Sequence, residues 1–244
     1  IYVSNYGGPA RFYELENDIL VDQAPSLNLD RITGGRAVVV GNIISGKSDI
    51  FAANERGANF LYTNKNGSFN EVAKQFGIAD ELQNGRGTTL SDIFYDGKLD
   101  IIYGNWKGYH RAYIKKNNKF FDIANKDFRT PTKVRTVISA DFDNDGYDEV
   151  FFNNIGEPNK LFRINDNGEF IELKLRDALE PYGLGTGAAV ADIDNDGILE
   201  LLITHGETAE QPLSMIKAKV PMNHKWIRIL PKNSFDAPSR GSTV

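Results

Sequence analysis

Short apolar runs, each opened by an acidic residue, recur along the chain: Asp49-Ile-Phe-Ala-Ala-Asn54, Asp100-Ile-Ile-Tyr-Gly-Asn105, Glu149-Val-Phe-Phe-Asn-Asn154 and Glu200-Leu-Leu-Ile-Thr-His205. Unbroken apolar runs of this length suit strands buried on both faces. Before each lies a strand ending in Val40, Ser91, Ala140 or Ala191, followed by a polar loop. After it come an aromatic strand (Tyr62, Tyr113, Phe162), an Asn-rich turn (Asn66-Gly67, Asn117-Asn118, Asn167-Gly168) and a short strand carrying Phe69, Phe120 or Phe170. Helical spacing is not sustained, and only the stretch Glu71–Phe76 leaves room for a short helix.

The leading acidic residues are 51, 49 and 51 positions apart. Four-stranded units repeating about every fifty residues predict an all-β fold, a β-propeller with about four repeats visible, ahead of a β-solenoid or sandwich. Residues 1–5 match a second strand, because Asn5 precedes Asn54 by 49 positions. The chain therefore starts inside a blade and reads as part of a larger propeller, such as one of seven blades. The propeller units are assigned to 1–219 and a different segment to 220–244.

The loops before the apolar strands carry the candidate chemistry. Asp141, Asp143, Asp145, Asp148 and Glu149 lie within nine residues with no basic residue among them. Oxygen ligands at the first, third, fifth and ninth places, with Gly146 at the sixth to turn the chain, suit a hard cation taking six to eight oxygens, and calcium fits better than magnesium. The expected ligands are Asp141, Asp143, Asp145, the Tyr147 carbonyl and Glu149. The following loop repeats them as Asp192, Asp194, Asp196, the Ile198 carbonyl and Glu200, turned by Gly197. An EF-hand is excluded, since its twelfth place would be Phe152 or Ile203 instead of glutamate. A weaker site is expected at Asp92, Asp96, Lys98 and Asp100, where Phe94 replaces the second ligand. The first loop keeps Asp49 alone, with Gly41, Ile43 and Ser45 at the other places, and is expected to bind no metal.

Composition narrows the partners. Lys and Arg total 28 against 33 Asp and Glu, a net charge of −5, so the electrostatic footprint of a nucleic-acid binder is missing. No apolar run has the roughly 18 to 20 residues of a transmembrane helix. With no cysteine, disulfides, thiolate metal sites and cysteine nucleophiles are absent. The glycines of Gly183-Leu-Gly185-Thr-Gly187 and Gly85-Arg-Gly87 precede no helix and no Lys-Ser or Lys-Thr, so they read as turns into the first strands and not as phosphate loops. Three histidines, His110, His205 and His224, accompany no hydrolase motif, and His205 reads as a turn residue.

The acidic loops and the repeat resemble the FG-GAP or VCBS family of calcium-loop propellers. The tail, Asn223-His224-Lys-Trp226-Ile-Arg228-Ile-Leu230 and later Arg240-Gly241-Ser-Thr-Val244, is similar to the start of an ASPIC/UnbV segment, with an inserted Lys and Ser in place of Ala. The resemblance implies a secreted or cell-surface protein in extracellular or periplasmic calcium, with a protein or glycan as partner.

If the acidic loops share one rim, the loops joining strands two to three and four to one emerge at the other. Trp106, Lys107, Tyr109, His110 and Arg111 are the candidate ligand-binding residues there, with Arg86 and Tyr182 on the same rim. The expected function is a non-enzymatic calcium-binding adhesion or binding module. Its competitors are a lectin and a polysaccharide lyase using Lys107, Arg111 and Arg86.

Overall fold

The computed structural model describes residues 1–219 and 226–239. In chain order its first strands are β1 (Tyr2–Val3), β2 (Tyr6–Pro9), β3 (Arg11–Glu16) and β4 (Ile19–Asp22). β1, β3 and β4 form one sheet, while β2 joins the edge of the next. That sheet continues as β5 (Ile32–Gly41), β6 (Asp49–Asn54), β7 (Phe60–Lys65) and β8 (Ser68–Glu71). A four-stranded sheet follows, of β9 (Gly85–Ser91), β10 (Asp100–Asn105), β11 (Arg111–Lys116) and β12 (Lys119–Asp122). Another comprises β13 (Val134–Ala140), β14 (Glu149–Asn154), β15 (Lys160–Ile164) and β16 (Phe170–Glu172). The last sheet has β17 (Gly185–Ala191), β18 (Glu200–His205) and β19 (Ser214–Lys217).

The fold is thus all-β, with five antiparallel sheets in tandem that do not close into a ring among the described residues. β1 pairs with β3, Tyr2 opposite Phe12, as β6 pairs with β7, Phe51 opposite Leu61.

Each apolar strand is divided between two cores by the period-2 alternation of its side chains. Ile50 of β6 packs with Tyr2 and Phe12 of the preceding sheet, while its neighbour Phe51 packs with Ile101 and Tyr103 of the following one. In β14, Phe152 faces Ile102 and Ala112, and Phe151 faces Leu201 and Ile203. Every residue of β6, β10 and β14 is consequently buried. Burial of a large apolar side chain contributes about 1.5–3 kcal/mol, so the faces between sheets hold the array together.

The two-residue hairpins require positive φ at both central positions. Asn66-Gly67 (φ 55° and 91°) and Asn117-Asn118 (φ 52° and 56°) supply it. The stretch Glu71–Phe76 closes as a turn and not as a helix: Phe76 N–H donates to Val72 at 3.1 Å and Ile78 N–H to Ala73 at 2.9 Å. One turn is too short to sustain a helix after the cost of nucleation.

At the head of every first strand the ladder slips by one residue, skipping Arg36 in β5, Arg86 in β9, Arg135 in β13 and Thr186 in β17. The Gly85 and Gly185 segments therefore lie inside bulged strands and are not turns before them. Gly87 has a packing reason: a Cβ there would stand 2.5 Å from the Val137 nitrogen of the adjacent first strand. β5, β9, β13 and β17 lie side by side in that order.

Candidate functional site

The last two acidic loops share one hydrogen-bond scheme. Asp141 accepts from Gly146 N–H at 3.0 Å, Asp143 from Asp145 N–H at 3.1 Å, and Asp145 from Tyr147 N–H at 2.8 Å. Glu149 accepts from Phe142 N–H at 2.9 Å. The next loop repeats these bonds: Gly197 N–H to Asp192, Asp196 N–H to Asp194, Ile198 N–H to Asp196 and Ile193 N–H to Glu200. The turn needs left-handed backbone at its fourth and sixth places. Asn144 (φ 56°) and Gly146 (φ 95°) provide it, as do Asn195 (φ 62°) and Gly197 (φ 84°), residue types that bear it at least strain.

The geometry gathers carboxylate oxygens of Asp141, Asp143 and Glu149 within 4.8 Å of one another, and likewise those of Asp192, Asp194 and Glu200. Glu149 is 1% exposed, and its Oε1 is buried without a hydrogen-bond partner. Burial, reinforced by Asp143, Asp145 and Asp141, pushes its pKa up to about 8. An anion so placed is costly unless a cation joins it.

The first two loops meet that demand differently. Asp49, wholly buried, accepts from Ile44 N–H, Ser45 N–H, Ser45 Oγ–H and Asn64 N–H. Hydrogen-bond donors saturate the carboxylate where a cation would otherwise serve. Asp92 accepts from Asp96 and Gly97 N–H groups, and Asp96 pairs with Lys98 Nζ. Burial lifts Asp100 up to about 7, opposed by N–H donors from Ile93 and Lys115. Here Tyr95 occupies the fourth place with φ 54°, a conformation that a side chain of this bulk adopts at a cost.

Basic side chains that the sequence reading passed over enter the last loop. Lys217 Nζ lies 2.8 Å from Asp194, 2.7 Å from Asp196 and 2.7 Å from Glu200. Arg228 reaches Asp192 at 3.0 Å and Asn195 at 2.6 Å. Trp226 covers Gly197 so closely that a Cβ at that glycine would stand 2.0 Å from the indole. Lys217 faces Glu200 directly across the β18–β19 ladder, and that cross-strand register is the signal that could have found it. Neighbouring loops also touch: Tyr95 meets Tyr147 edge to face at 4.9 Å, and Asn144 Nδ2 donates to the Gly197 carbonyl at 2.8 Å.

The FG-GAP-like repeat model matches residues 45–103, 92–152 and 141–203, each match running from one acidic loop through the next. The chain belongs to the FG-GAP-like repeat family. It is also 43% identical to "Cartilage acidic protein 1" of Xenopus tropicalis over 270 residues, and 43% identical to the Homo sapiens and Mus musculus proteins of that name over 271 residues each. The alignments cover 100% of this chain and 42%, 41% and 42% of those relatives. This FG-GAP-like chain thus spans less than half the length of the curated relatives it matches.

At the opposite ends of the FG-GAP-like strands, the rim loop splits in two. Trp106 is partly buried, and Lys107 and Tyr109 are exposed. His110 is wholly buried: its Nδ1 accepts from Asn105 N–H, its Nε2 pairs with Thr132 Oγ1 at 3.0 Å, and its ring stacks on Phe152. Asn59 and Asn159 accept from Asn54 and Asn154 N–H in the same way, so His110 fills a structural place in the repeat. Arg111 is held by Asp80 through two bonds and by Asp122 at 3.1 Å. These two side chains face inward because they brace the turn between second and third strands. His205 bonds Glu180 and the Pro212 carbonyl, and Tyr182 is 85% exposed.

The tail motif falls partly outside the described residues, which omit Asn223, His224 and the stretch 240–244.

Proposed function

We propose that this chain is a run of calcium-stabilised propeller blades from an exported protein, acting as a non-catalytic module that binds an extracellular protein or glycan. The buried, unpartnered Oε1 of Glu149 carries the calcium reading, because it has no donor of its own and its carboxylate lies with those of Asp141 and Asp143, oxygens within 4.8 Å of one another. The residues that would hold the ion are Asp141, Asp143, Asp145, Glu149 and the Tyr147 carbonyl, and in the next loop Asp192, Asp194, Asp196, Glu200 and the Ile198 carbonyl. Calcium supplies charge neutralisation and a rigid loop, and it performs no chemistry here. Extracellular calcium modules bind with Kd of about 10⁻⁴ to 10⁻³ M, which fits a protein that works outside the cell. The side-by-side first strands support the propeller reading. Among the described residues no helix is long and apolar enough to cross a membrane.

A lyase using Arg111 is disfavoured, since that guanidinium is committed to Asp80 and Asp122. Calorimetric titration of the chelator-stripped chain with calcium tests the proposal. Asp143→Ala and Asp194→Ala should each remove one bound ion, whereas Asp49→Ala should leave the stoichiometry unchanged. The same stoichiometry in all three variants would overturn the assignment.

A further inference from the structure

The bulges at the heads of the first strands turn a sequence repeat into a surface. Arg36, Arg86 and Arg135 step by 50 and 49 residues, and each is the residue its ladder skips. Bulges interrupt side-chain alternation and re-aim the extra residue. Because these first strands lie side by side, the result is a row of guanidinium groups on the rim that carries Trp106.

The row is short of acceptors. Glu55 serves two arginines, taking Arg36 Nε at 2.7 Å and Arg86 at 3.1 Å. Arg135 pairs with Glu207, whose side chain is 49% exposed. The Nε–H groups of Arg86 and Arg135 are buried without an acceptor, out of reach of an external ligand, and 11% and 16% of these side chains stay exposed to meet one. Both guanidinium groups sit over the Trp106 ring, 4.9 Å and 4.6 Å from its centroid, and Lys107 Nζ adds a third cation at 6.0 Å. Among the described residues no carboxylate pairs with Lys107. Immediately around Trp106, three arginines and Lys107 share two carboxylates, Glu55 and Glu207, although the chain as a whole is acidic.

We infer that this rim binds a polyanionic glycan whose carboxylate or sulfate groups accept from Arg86 and Arg135 beside Trp106, with Arg36 as a further contact. The planar guanidinium fork matches such oxyanions. The cations recur sheet by sheet as charges recur along a polymer, so one chain engages several and gains by multivalency. Tyr109, 53% exposed on the same loop and with the Arg129 guanidinium 5.5 Å from its ring centroid, adds an aromatic surface beside a further cation on which a charged sugar ring can pack. The inference rests on reading the protein as a binding module and identifies where it binds.

The test uses the calcium-loaded chain with dextran sulfate and polygalacturonate as probes, neutral dextran as control and polyglutamate as the acidic-peptide arm. Both anionic glycans should bind, more weakly as salt rises, and neutral dextran should not. Arg86→Gln and Arg135→Gln should each weaken binding at least tenfold without changing calcium stoichiometry. Glu207→Gln, which alters an exposed side chain and releases Arg135, should strengthen it. Absence of binding, equal affinity in these variants, or a preference for polyglutamate would overturn the inference. Polyanion binding that follows this pattern in a chain that takes up no calcium would uphold the rim and defeat the metal proposal alone.

Discussion

Asp49 and Glu149 stand at the same place in two repeats and meet opposite demands. Asp49 is satisfied by four donors, so Asp49→Ala should leave those groups unpaired and cost about 3 kcal/mol or more of stability, read by denaturant unfolding, with calcium uptake intact. Lys217 makes the converse point. Its ammonium lies among Asp194, Asp196 and Glu200, where calcium must compete with it. Lys217→Gln should therefore tighten calcium binding at the last loop and leave the Asp141 loop unchanged; weaker binding there would show that Lys217 supports the site. His110 yields a pH prediction. An unfolded histidine titrates near about 6.5, whereas burial pushes His110 down to about 3. Between these values the unfolded chain binds a proton that the folded chain refuses, so this contribution to stability is complete above the window and falls as the pH drops through it. His110→Asn, which restores the arrangement of Asn59 and Asn159, should remove about 2.7 kcal/mol of acid destabilisation near pH 4.5 in melts compared with pH 7.5. The grouping of Asp141, Asp143 and Glu149, and of Asp192, Asp194 and Glu200, was legible from one sequence because the spacing that brings them together is local. The inward turn of His110 and Arg111 was not, because it depends on Thr132, Asp80 and Asp122, which are distant in the chain.

At the scale of elements, the apolar runs announced their strands because both faces are covered, and burial of every residue in β10 and β14 follows from that pattern. The bulges were hidden. Gly85-Arg86-Gly87 looked like a turn, yet its glycines lie where the first strand presses on its neighbours, and no local pattern distinguishes close approach from a change of direction. Gly87→Ala places a Cβ against the backbone of Thr136 and Val137, which no side-chain rotation relieves. A loss of about 3 kcal/mol is expected from such overpacking, measured as a lower denaturation midpoint at unchanged slope. A change within about 0.5 kcal/mol, the range of ordinary surface substitutions, would mean that the first strands stand farther apart than described.

For the whole molecule, the sheets are joined through apolar faces between neighbours, while the acidic loops contact one another at one rim. Ions held in those loops would offset carboxylate repulsion and stiffen the turns between first and second strands, and would thereby link metal binding to global stability. The fifty-residue period made the tandem sheets legible, because each repeat carries its own hydrogen-bonded strands. Thermal unfolding of the intact chain in calcium against excess chelator tests the central claim most directly. At roughly 100 times Kd each independent site should add about 2.7 kcal/mol, raising Tm by about 5–10 °C for a chain of this size, and Asp143→Ala should reduce the increase. Identical melting curves in calcium and chelator would contradict the account and leave the acidic loops as turns alone.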